Sequence, residues 1–292
     1  MHSLTLKSPA KINLYLKVLG RRRDGYHDLV TLFERISLKD SLRLIKAAPG
    51  VFSLSASEPA LSVGEDNLIT RAYRLLQRQY PKMGGVKVRL TKHIPIGGGL
   101  GGGSSNAAFF LLGMKRLYGL KGSENSLFRI GRRLGADVPF FLKEVPRAIG
   151  TGRGDRLRSI PSTKKLWLVL IISPYRLITK QVYGKFAQAR PCASLTKELR
   201  TVKILCNFFQ RKGLKQYALR LANDLEKPAF ALRPELRNIK AKILQKGIQD
   251  VLMSGSGPTF FVLADAKRQA ILIAKSLRRI FPSKKVLVCS SY

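Results

Sequence analysis

The chain has 292 residues, with 54 Lys and Arg against 17 Asp and Glu, and a formal net charge of +37. Its 45% hydrophobic and 8% aromatic content can supply a buried core and excludes a disordered or low-complexity polymer. A chain of this length forms one large domain or two ordinary ones. The three cysteines, Cys192, Cys206 and Cys289, are too scattered for a disulfide framework and none has CxxC spacing, so we expect a reducing, cytoplasmic setting.

The positive charge is spread along the chain, since residues 1–160 hold 28 basic and 11 acidic side chains and residues 161–292 hold 26 and 6. Neither part is a basic tail, and no aromatic stacking motif of single-strand binders is present. The composition therefore favours a surface that attracts anionic small molecules, with nucleic-acid binding as the minor alternative. The longest apolar run, residues 166–172, is far shorter than the ~20 residues of a membrane span. We expect no membrane partner, and either a monomer or a homodimer.

The first predicted element is a strand over residues 11–18, where apolar side chains recur at every second position. Lys11, Asn13 and Tyr15 share its opposite face. A basic loop follows at residues 20–25 and leads into a second strand. The other elements predicted in the first part are a helix over 68–79, a strand over 86–90 and helices over 107–118 and 126–134.

A break at residues 160–165 predicts a boundary between domains 1–162 and 163–292. The second part alternates strand and helix patterns. Strands are predicted over 166–172, 251–253, 259–263 and 285–289, and helices over 196–211, 214–223, 234–246 and 266–280.

Six glycines fall between positions 97 and 103, after a strand and before a helix. Small residues let backbone N–H groups converge on a phosphate, and the helix dipole adds positive potential there. No Gly-Lys-Ser/Thr ends the loop, so it is not a Walker A motif. The alternatives are a dinucleotide loop on Gly97, Gly99 and Gly102, or tight turns without a ligand. The residues that follow are typical N-caps: Ser104, Ser105 and Asn106.

Asp137 is the candidate general base, because apolar neighbours at positions 136 and 138–141 would limit access of water to its carboxylate. Considered alone, Asp137 also fits a helix cap or a structural acceptor. Lys11 considered alone fits a solvated strand lysine. The functional interpretation depends on the two residues occurring together with the glycine loop.

Four segments carry that combination: PAKINLYL (9–16), PIGGGLGGGSSNAA (95–108), GADVPFF (135–141) and MSGSGPT (253–259). Together, and in this order, they resemble the motifs of the GHMP small-molecule kinases over nearly the whole chain. The resemblance implies an α+β fold with two domains, the N-terminal one like domain 2 of ribosomal protein S5 and the C-terminal one ferredoxin-like. It also implies an active site in the cleft between the domains.

The resemblance further implies ATP as co-substrate, with Mg²⁺. Asp137 matches the base that takes the acceptor proton, and Lys11 matches the lysine that keeps it ionised and helps stabilise the transferring phosphoryl group. The magnesium-binding residue would be Ser104 or Ser105. The matching ATP-binding residues are Pro95, Ile96, Gly97, Gly98, Gly99, Leu100, Gly101, Gly102, Gly103, Ser104, Ser105 and Asn106. Gly98 departs from the family, which commonly has alanine there, and so does the +37 charge.

The segment Gly-Tyr-His at 25–27 resembles family members whose substrate is a cytidylated methylerythritol, phosphorylated at its 2-hydroxyl in the non-mevalonate route to isoprenoids. Tyr26 and His27 match the residues that read cytosine, and Tyr183 matches a second stacking ring. The other implied substrate-binding residues are Asn13, Gly255, Ser256 and Gly257. A homoserine or mevalonate type of kinase is the alternative, and those substrates have no cytosine.

Overall fold

The computed structural model describes residues 2–121, 123–161, 164–186, 194–211 and 221–292. Strands and helices are mixed along the chain. In order they are β1 (Ser3–Arg21), β2 (His27–Ala47), β3 (Phe52–Ala56), α1 (Leu68–Gln79), β4 (Gly85–Thr91), α2 (Gly102–Tyr118), α3 (Glu124–Leu134), α4 (Val138–Leu142), β5 (Arg147–Thr151), β6 (Arg156–Ile160), β7 (Trp167–Ile172), α5 (Thr179–Phe186), α6 (Leu195–Arg211), β8 (Ala222–Asn223), α7 (Glu226–Leu232), α8 (Pro234–Leu244), β9 (Val251–Met253), β10 (Phe260–Ala264), α9 (Lys267–Ile280) and β11 (Lys285–Ser290).

The chain forms two compact units that interleave along the sequence. The first unit contains Met1–Ala10, Leu38–Ile96 and Gly101–Val145, and the second contains Lys11–Ser37, Gly97–Leu100 and Pro146–Tyr292. The glycine segment is therefore divided between them. The two units interleave, so their limits do not test a single boundary between residues 162 and 163. That boundary stays a prediction.

In the first unit, helices α1 to α4 pack against one another, and strands β3 and β4 and part of β2 belong to a sheet. Strand β4 pairs antiparallel with residues 41–47 of β2 and parallel with β3. Helix α1 begins after Asn67, whose Oδ1 accepts the N–H of Ile69 at 2.9 Å. Helix α2 approaches the sheet closely at Gly113, where a Cβ would lie 2.4 Å from Cδ1 of Leu44. The contact at Gly113 holds α2 against the sheet, and the start of this helix carries the end of the glycine segment.

In the second unit, a four-stranded antiparallel sheet has the order β11-β7-β10-β9. Its core includes Val169, Ile171, Phe260 and Leu277, all essentially inaccessible to solvent. Burying such apolar side chains stabilises the unit. The unit also contains residues 31–34 of β2 paired with β5, and β8 paired in parallel with β1.

Most predicted elements are confirmed within a few residues, among them the strands β7, β9 and β11 and the helix α9. Two predictions are wrong in part. Helix α2 starts at Gly102, so Ser104, Ser105 and Asn106 lie inside its first turns and are not N-caps. Residues 212–220, which hold most of the helix predicted over 214–223, lie outside the described residues, and Ala222–Asn223 at its end form a strand.

Within the described residues, no helix is long and apolar enough to cross a membrane.

Candidate active site

In the second unit, residues 97–100 of the glycine segment are held by hydrogen bonds that their backbone carbonyls accept. Lys11 donates its N–H to the carbonyl of Leu100 at 2.9 Å, and Ser254 donates its hydroxyl to the carbonyl of Gly99 at 3.0 Å. Gly99 has a φ of +75°, and a Cβ there would lie 2.2 Å from the carbonyl oxygen of Ser254. Only glycine fits this position without moving the backbone.

A chain of buried hydrogen bonds begins at Lys11. Its Nζ donates to Oδ1 of Asn13 at 2.7 Å, and Nδ2 of Asn13 donates to Oγ1 of Thr31 at 2.8 Å. The Thr31 hydroxyl in turn donates to the carbonyl of Tyr15 at 2.8 Å. Lys11, Asn13 and Thr31 are 4%, 2% and 1% exposed, so the direction of each donor is fixed by its partner. The alternative of a solvated strand lysine is wrong for Lys11, because this ammonium group is buried.

Gly255 brings a second loop to the same polar pair. Its φ is +55°, and a Cβ there would lie 3.3 Å from both Nζ of Lys11 and Oδ1 of Asn13, and 3.2 Å from the carbonyl oxygen of Gly99. Four predicted site residues, Lys11, Asn13, Gly99 and Gly255, therefore converge within the second unit.

The loop around Gly255 is held by residues that the sequence reading did not select. Asn223 donates Nδ2 to the carbonyl of Gly255 at 2.7 Å. The hydroxyls of Ser256 and Thr179 are hydrogen-bonded at 2.9 Å. Gly257 has no room for a side chain, since a Cβ would lie 2.5 Å from a methionine sulfur. Ser256 and Gly257 thus maintain the shape of the loop.

In the first unit, the glycine segment ends at the start of helix α2. Gly101 has the left-handed φ of +68° and precedes the helix, whose Ser105 N–H donates to the carbonyl of Gly101 at 2.8 Å. The N–H groups before Ser105 have no partner inside the helix, and such groups, together with the helix dipole, favour the binding of an anion. The Ser105 hydroxyl is buried and has no partner among the described residues, whereas Ser104 is half-buried. Ser104 is thus the more accessible residue of the two, and the Ser105 hydroxyl is the one that lacks a hydrogen bond.

The solvent exposure of the predicted ATP-binding residues differs along the segment. Gly97 and Gly103 are exposed, Pro95, Ile96, Gly99, Gly101 and Ser104 are half-buried, and Gly98, Leu100, Gly102, Ser105 and Asn106 are buried.

Asn106 is bound by a polar cluster that the sequence did not predict. Its Nδ2 donates to Oδ2 of Asp40 at 2.9 Å and to Oγ of Ser8 at 2.7 Å. The same Asp40 carboxylate accepts the backbone N–H groups of residues 93–94 and pairs with Lys92. Asp40 therefore connects the strand exit before the glycine segment to the helix after it. The amide of Asn106 is used in this connection, and an ATP contact of Asn106 stays a prediction.

Asp137 lies between helices α3 and α4 of the first unit and is half-buried. Asp137 occupies the N-cap position of α4, as the helix-cap alternative expects, but its side chain makes no capping hydrogen bond there. The loop that carries Asp137 is close to the start of α2, since a Cβ at Gly135 would lie 3.9 Å from Oγ of Ser104. Within the first unit, the structure brings Ser104 and the Asp137 loop together.

His27 and Tyr183 lie side by side in the second unit, with ring centroids 5.1 Å apart. Phe186, which the sequence reading missed, meets the His27 ring edge-on at 6.4 Å. Burial lowers the pKa of His27, and the charge of Arg21 lowers it further, so the imidazole is neutral near pH 7. Its Nε2 is buried and has no partner among the described residues. A buried nitrogen of this kind is ready for a hydrogen bond from a ligand.

Tyr26 is 51% exposed beside this cluster. The guanidinium of Arg153 lies over its ring at 4.6 Å and also pairs with Asp155 at 2.9 Å. The N–H of Tyr26 donates to Asp24 at 3.1 Å. The sequence analysis does not assign this cation–π contact of Arg153, which stabilises the exposed ring.

The sequence matches a known protein family in two segments of the chain. Residues 67–144 match the GHMP kinases N terminal domain, and residues 196–283 match the GHMP kinases C terminal domain. A 4-diphosphocytidyl-2-C-methyl-D-erythritol kinase from Acaryochloris marina is 36% identical, over 100% of this chain and 98% of the relative. The chain therefore belongs to the GHMP kinases, in the family of 4-diphosphocytidyl-2-C-methyl-D-erythritol kinases.

Solved structures agree with this family and with the predicted fold. A crystal structure of 4-(cytidine 5'-diphospho)-2C-methyl-D-erythritol kinase superposes with a TM-score of 0.79 at 36% identity, covering 98% of each chain. A homoserine kinase from Cytophaga hutchinsonii superposes with a TM-score of 0.76 at 18% identity, covering 100% of this chain and 95% of that one. The second likeness concerns the fold alone. The α+β, two-domain GHMP kinase fold expected from the sequence is confirmed.

Proposed function

We propose that this protein transfers the terminal phosphoryl group of ATP to the 2-hydroxyl of 4-diphosphocytidyl-2-C-methyl-D-erythritol, giving the 2-phosphate and ADP in the non-mevalonate pathway to isoprenoid precursors. Relatives that carry the name of this kinase match nearly the whole chain. The observation that carries the substrate choice is the unpartnered Nε2 of His27 beside the Tyr183 ring.

Recognition of cytosine follows from the chemistry of this cluster. A neutral imidazole offers one donor and one acceptor, and the cytosine edge also presents both kinds. Tyr26 and Tyr183 supply aromatic faces for stacking, which every nucleobase accepts. Homoserine and mevalonate have no base to occupy such a cluster, so the alternatives leave it unexplained.

Phosphoryl transfer requires positioning and electrostatic stabilisation more than covalent chemistry by the protein. In the proposal, the acceptor oxygen bonds to the terminal phosphorus of ATP as the bond to ADP breaks, and Asp137 takes the hydroxyl proton. Lys11 keeps that carboxylate ionised, and its positive charge stabilises the transferring group. Asn13 orients the substrate, and the N–H groups at the start of α2 bind phosphate oxygens.

Mg²⁺ is part of the proposal and would neutralise phosphate charge in the ATP complex. Ser104 or Ser105 would hold the ion: Ser104 is the more accessible residue, and the buried Ser105 hydroxyl has no partner among the described residues. The described residues contain no group of three His, Cys, Asp or Glu able to hold a metal. Magnesium is usually held by substrate phosphates with few protein ligands, so a serine hydroxyl beside the ATP phosphates suits this ion.

The proposal includes a cytoplasmic location, supported by Cys206, a buried cysteine that forms no disulfide among the described residues. The proposed oligomeric state is a monomer or a homodimer. Light scattering after size-exclusion chromatography distinguishes the two.

The test is ADP release from ATP and Mg²⁺ with 4-diphosphocytidyl-2-C-methyl-D-erythritol, homoserine, mevalonate or no acceptor. Turnover with the cytidylated acceptor alone supports the proposal. Turnover with homoserine or mevalonate instead would retain the phosphate loop and discard the cytosine site. Absence of turnover with every acceptor would reject the kinase proposal.

A further inference from the structure

A groove in the first unit is lined by four arginines. It lies between helices α1 and α3, has a volume of about 490 Å³ and is open to solvent. The described lining consists of Glu65, Arg71, Arg74, Leu75, Arg78 and Arg133. None of these residues belongs to the catalytic or substrate-binding set described above.

The spacing on α1 places three of the arginines on one face. Arg71, Arg74 and Arg78 are three and four residues apart, which aligns their side chains along a helix. The opposite face of α1 is buried and includes Ile69, Tyr73 and Leu76. The three guanidinium groups cannot turn away into the core, so the packing of α1 presents them together.

The charge of the groove is largely uncompensated by the protein. Only Arg74 has an acidic partner there, Glu65 at 3.2 Å, and both side chains are more than half exposed. An exposed pair of this kind contributes little to stability. Among the described residues, Arg71, Arg78 and Arg133 form no ion pair. Mutual repulsion of these cations is relieved most directly by an anion.

We propose that this arginine groove binds an oligophosphate anion of diphosphate or triphosphate length, separately from the phosphate loop. Residues 71 and 78 are about 10 Å apart along the helix axis, which is longer than a single phosphate and matches a short condensed phosphate chain. The planar guanidinium fork pairs with phosphate oxygens by two parallel hydrogen bonds. Leu75 is the one apolar residue in the lining, and no aromatic ring is among the described lining residues to stack a base.

The test measures binding of inorganic tripolyphosphate by calorimetry in metal-free buffer of low ionic strength. The variant Arg78→Gln/Arg133→Gln removes one unpaired cation from each helix. Its matched control is Arg43→Gln/Arg89→Gln, which removes two exposed arginines that face each other across β2 and β4 of the same unit. Glu65→Gln is the third variant, because Glu65 is the only carboxylate among the described lining residues and would compete with the anion. Kd for ATP is measured for every variant.

The tripolyphosphate Kd should rise about tenfold in Arg78→Gln/Arg133→Gln, as expected for losing two charge-assisted contacts. It should fall in Glu65→Gln and change less than about twofold in the control, with Kd for ATP unchanged throughout. If tripolyphosphate binding weakened equally in the control, the anion would be held by the general positive charge of the protein and the groove proposal would be overturned. A parallel loss of ATP affinity would make the groove part of the nucleotide site.

A single-stranded oligouridine provides the last arm of the experiment. Tighter binding of the oligonucleotide than of tripolyphosphate, lost in the same groove variant, would assign the groove to nucleic acid and overturn the oligophosphate proposal. Because all these readouts are binding measurements, they hold whether or not the protein is an active kinase.

Discussion

Asn13 on β1 donates its Nδ2 hydrogen bond to Oγ1 of Thr31 on β2 at 2.8 Å, and both side chains are almost completely buried. The Thr31 hydroxyl donates a hydrogen bond to the backbone carbonyl of Tyr15, so a lone pair of its oxygen is left to accept from Asn13. Asn13 Oδ1 accepts a hydrogen bond from the Lys11 ammonium group. Thr31 therefore orients the Asn13 amide directly and the Lys11 ammonium group through it. Thr31 is thus a positioning residue for the proposed reaction.

Thr31→Val keeps the shape of the side chain and removes its acceptor. We expect kcat to fall about tenfold, because Asn13 Nδ2 is left without a partner and the Lys11 contact loosens. The KM for ATP should stay near its original value. Steady-state kinetics with both substrates varied measures this separation.

Thr31→Ser is the control, since it retains the hydroxyl and should recover most of kcat. Adding Asn13→Ala to Thr31→Val should cost much less than the two single losses combined, because both act through one contact. Full additivity would show that Thr31 affects only the stability of the fold.

Asp137→Asn tests the proposed base. An amide cannot take a proton from the acceptor hydroxyl, so kcat should fall by about 10²- to 10⁴-fold while Kd for ATP changes little. Single-turnover ADP formation and calorimetry measure the two quantities. The control is Glu144→Gln, the same kind of change at an exposed ion pair of the first unit. Near-normal turnover of Asp137→Asn would remove Asp137 from this role.

Local sequence patterns were sufficient for the elements but not for the contacts between them. The run of apolar residues in β7 and the alternation before Val18 predict strands because burial depends on neighbouring positions. Thr31 lies within a similar apolar strand, and nothing local shows that Asn13, 18 positions away, will need its hydroxyl.

The glycine segment shows both the strength and the limit of motif reading. The run of glycines predicts a backbone that another group can approach closely. Gly99 confirms this, because a Cβ there would clash with the carbonyl oxygen of Ser254. The pattern predicts a helix from residue 107, whereas α2 begins at Gly102, because Gly101 adopts a left-handed conformation that lets the helix begin among the glycines. Asp40, which organises the segment through Asn106 from 66 positions away, carries no local signal at all.

The lowered pKa of His27 predicts a flat pH profile for substrate binding near neutrality. An ordinary imidazole is half-protonated near pH 6.5, whereas burial and Arg21 keep His27 neutral to lower pH. Protonation would convert its acceptor nitrogen into a donor and weaken cytosine recognition. The KM for the cytidylated substrate should therefore be constant from pH 8 to 6.5 and rise only in more acidic buffer.

The KM for ATP over the same pH range is the control, since ATP does not contact His27 in the proposal. His27→Gln, which has no titrating group, should lose the acid-side rise in KM. A KM that begins to rise above pH 7 would contradict the neutral, buried imidazole.

Substitution of two glycines in the glycine segment distinguishes the cost of backbone strain from the cost of a steric clash. Gly97 and Gly99 both have left-handed φ values, +69° and +75°. A Cβ at Gly97 would meet no atom within 4 Å, whereas one at Gly99 would lie 2.2 Å from the carbonyl oxygen of Ser254. Gly97→Ala should therefore cost only the left-handed penalty of about 1 kcal/mol. Gly99→Ala carries the same penalty and must also push the segment away from Ser254, so its melting temperature and ATP affinity should both fall further than those of Gly97→Ala. Thermal denaturation and ATP calorimetry on the two variants measure the difference, and equal losses would show that the contact with Ser254 does not position the loop.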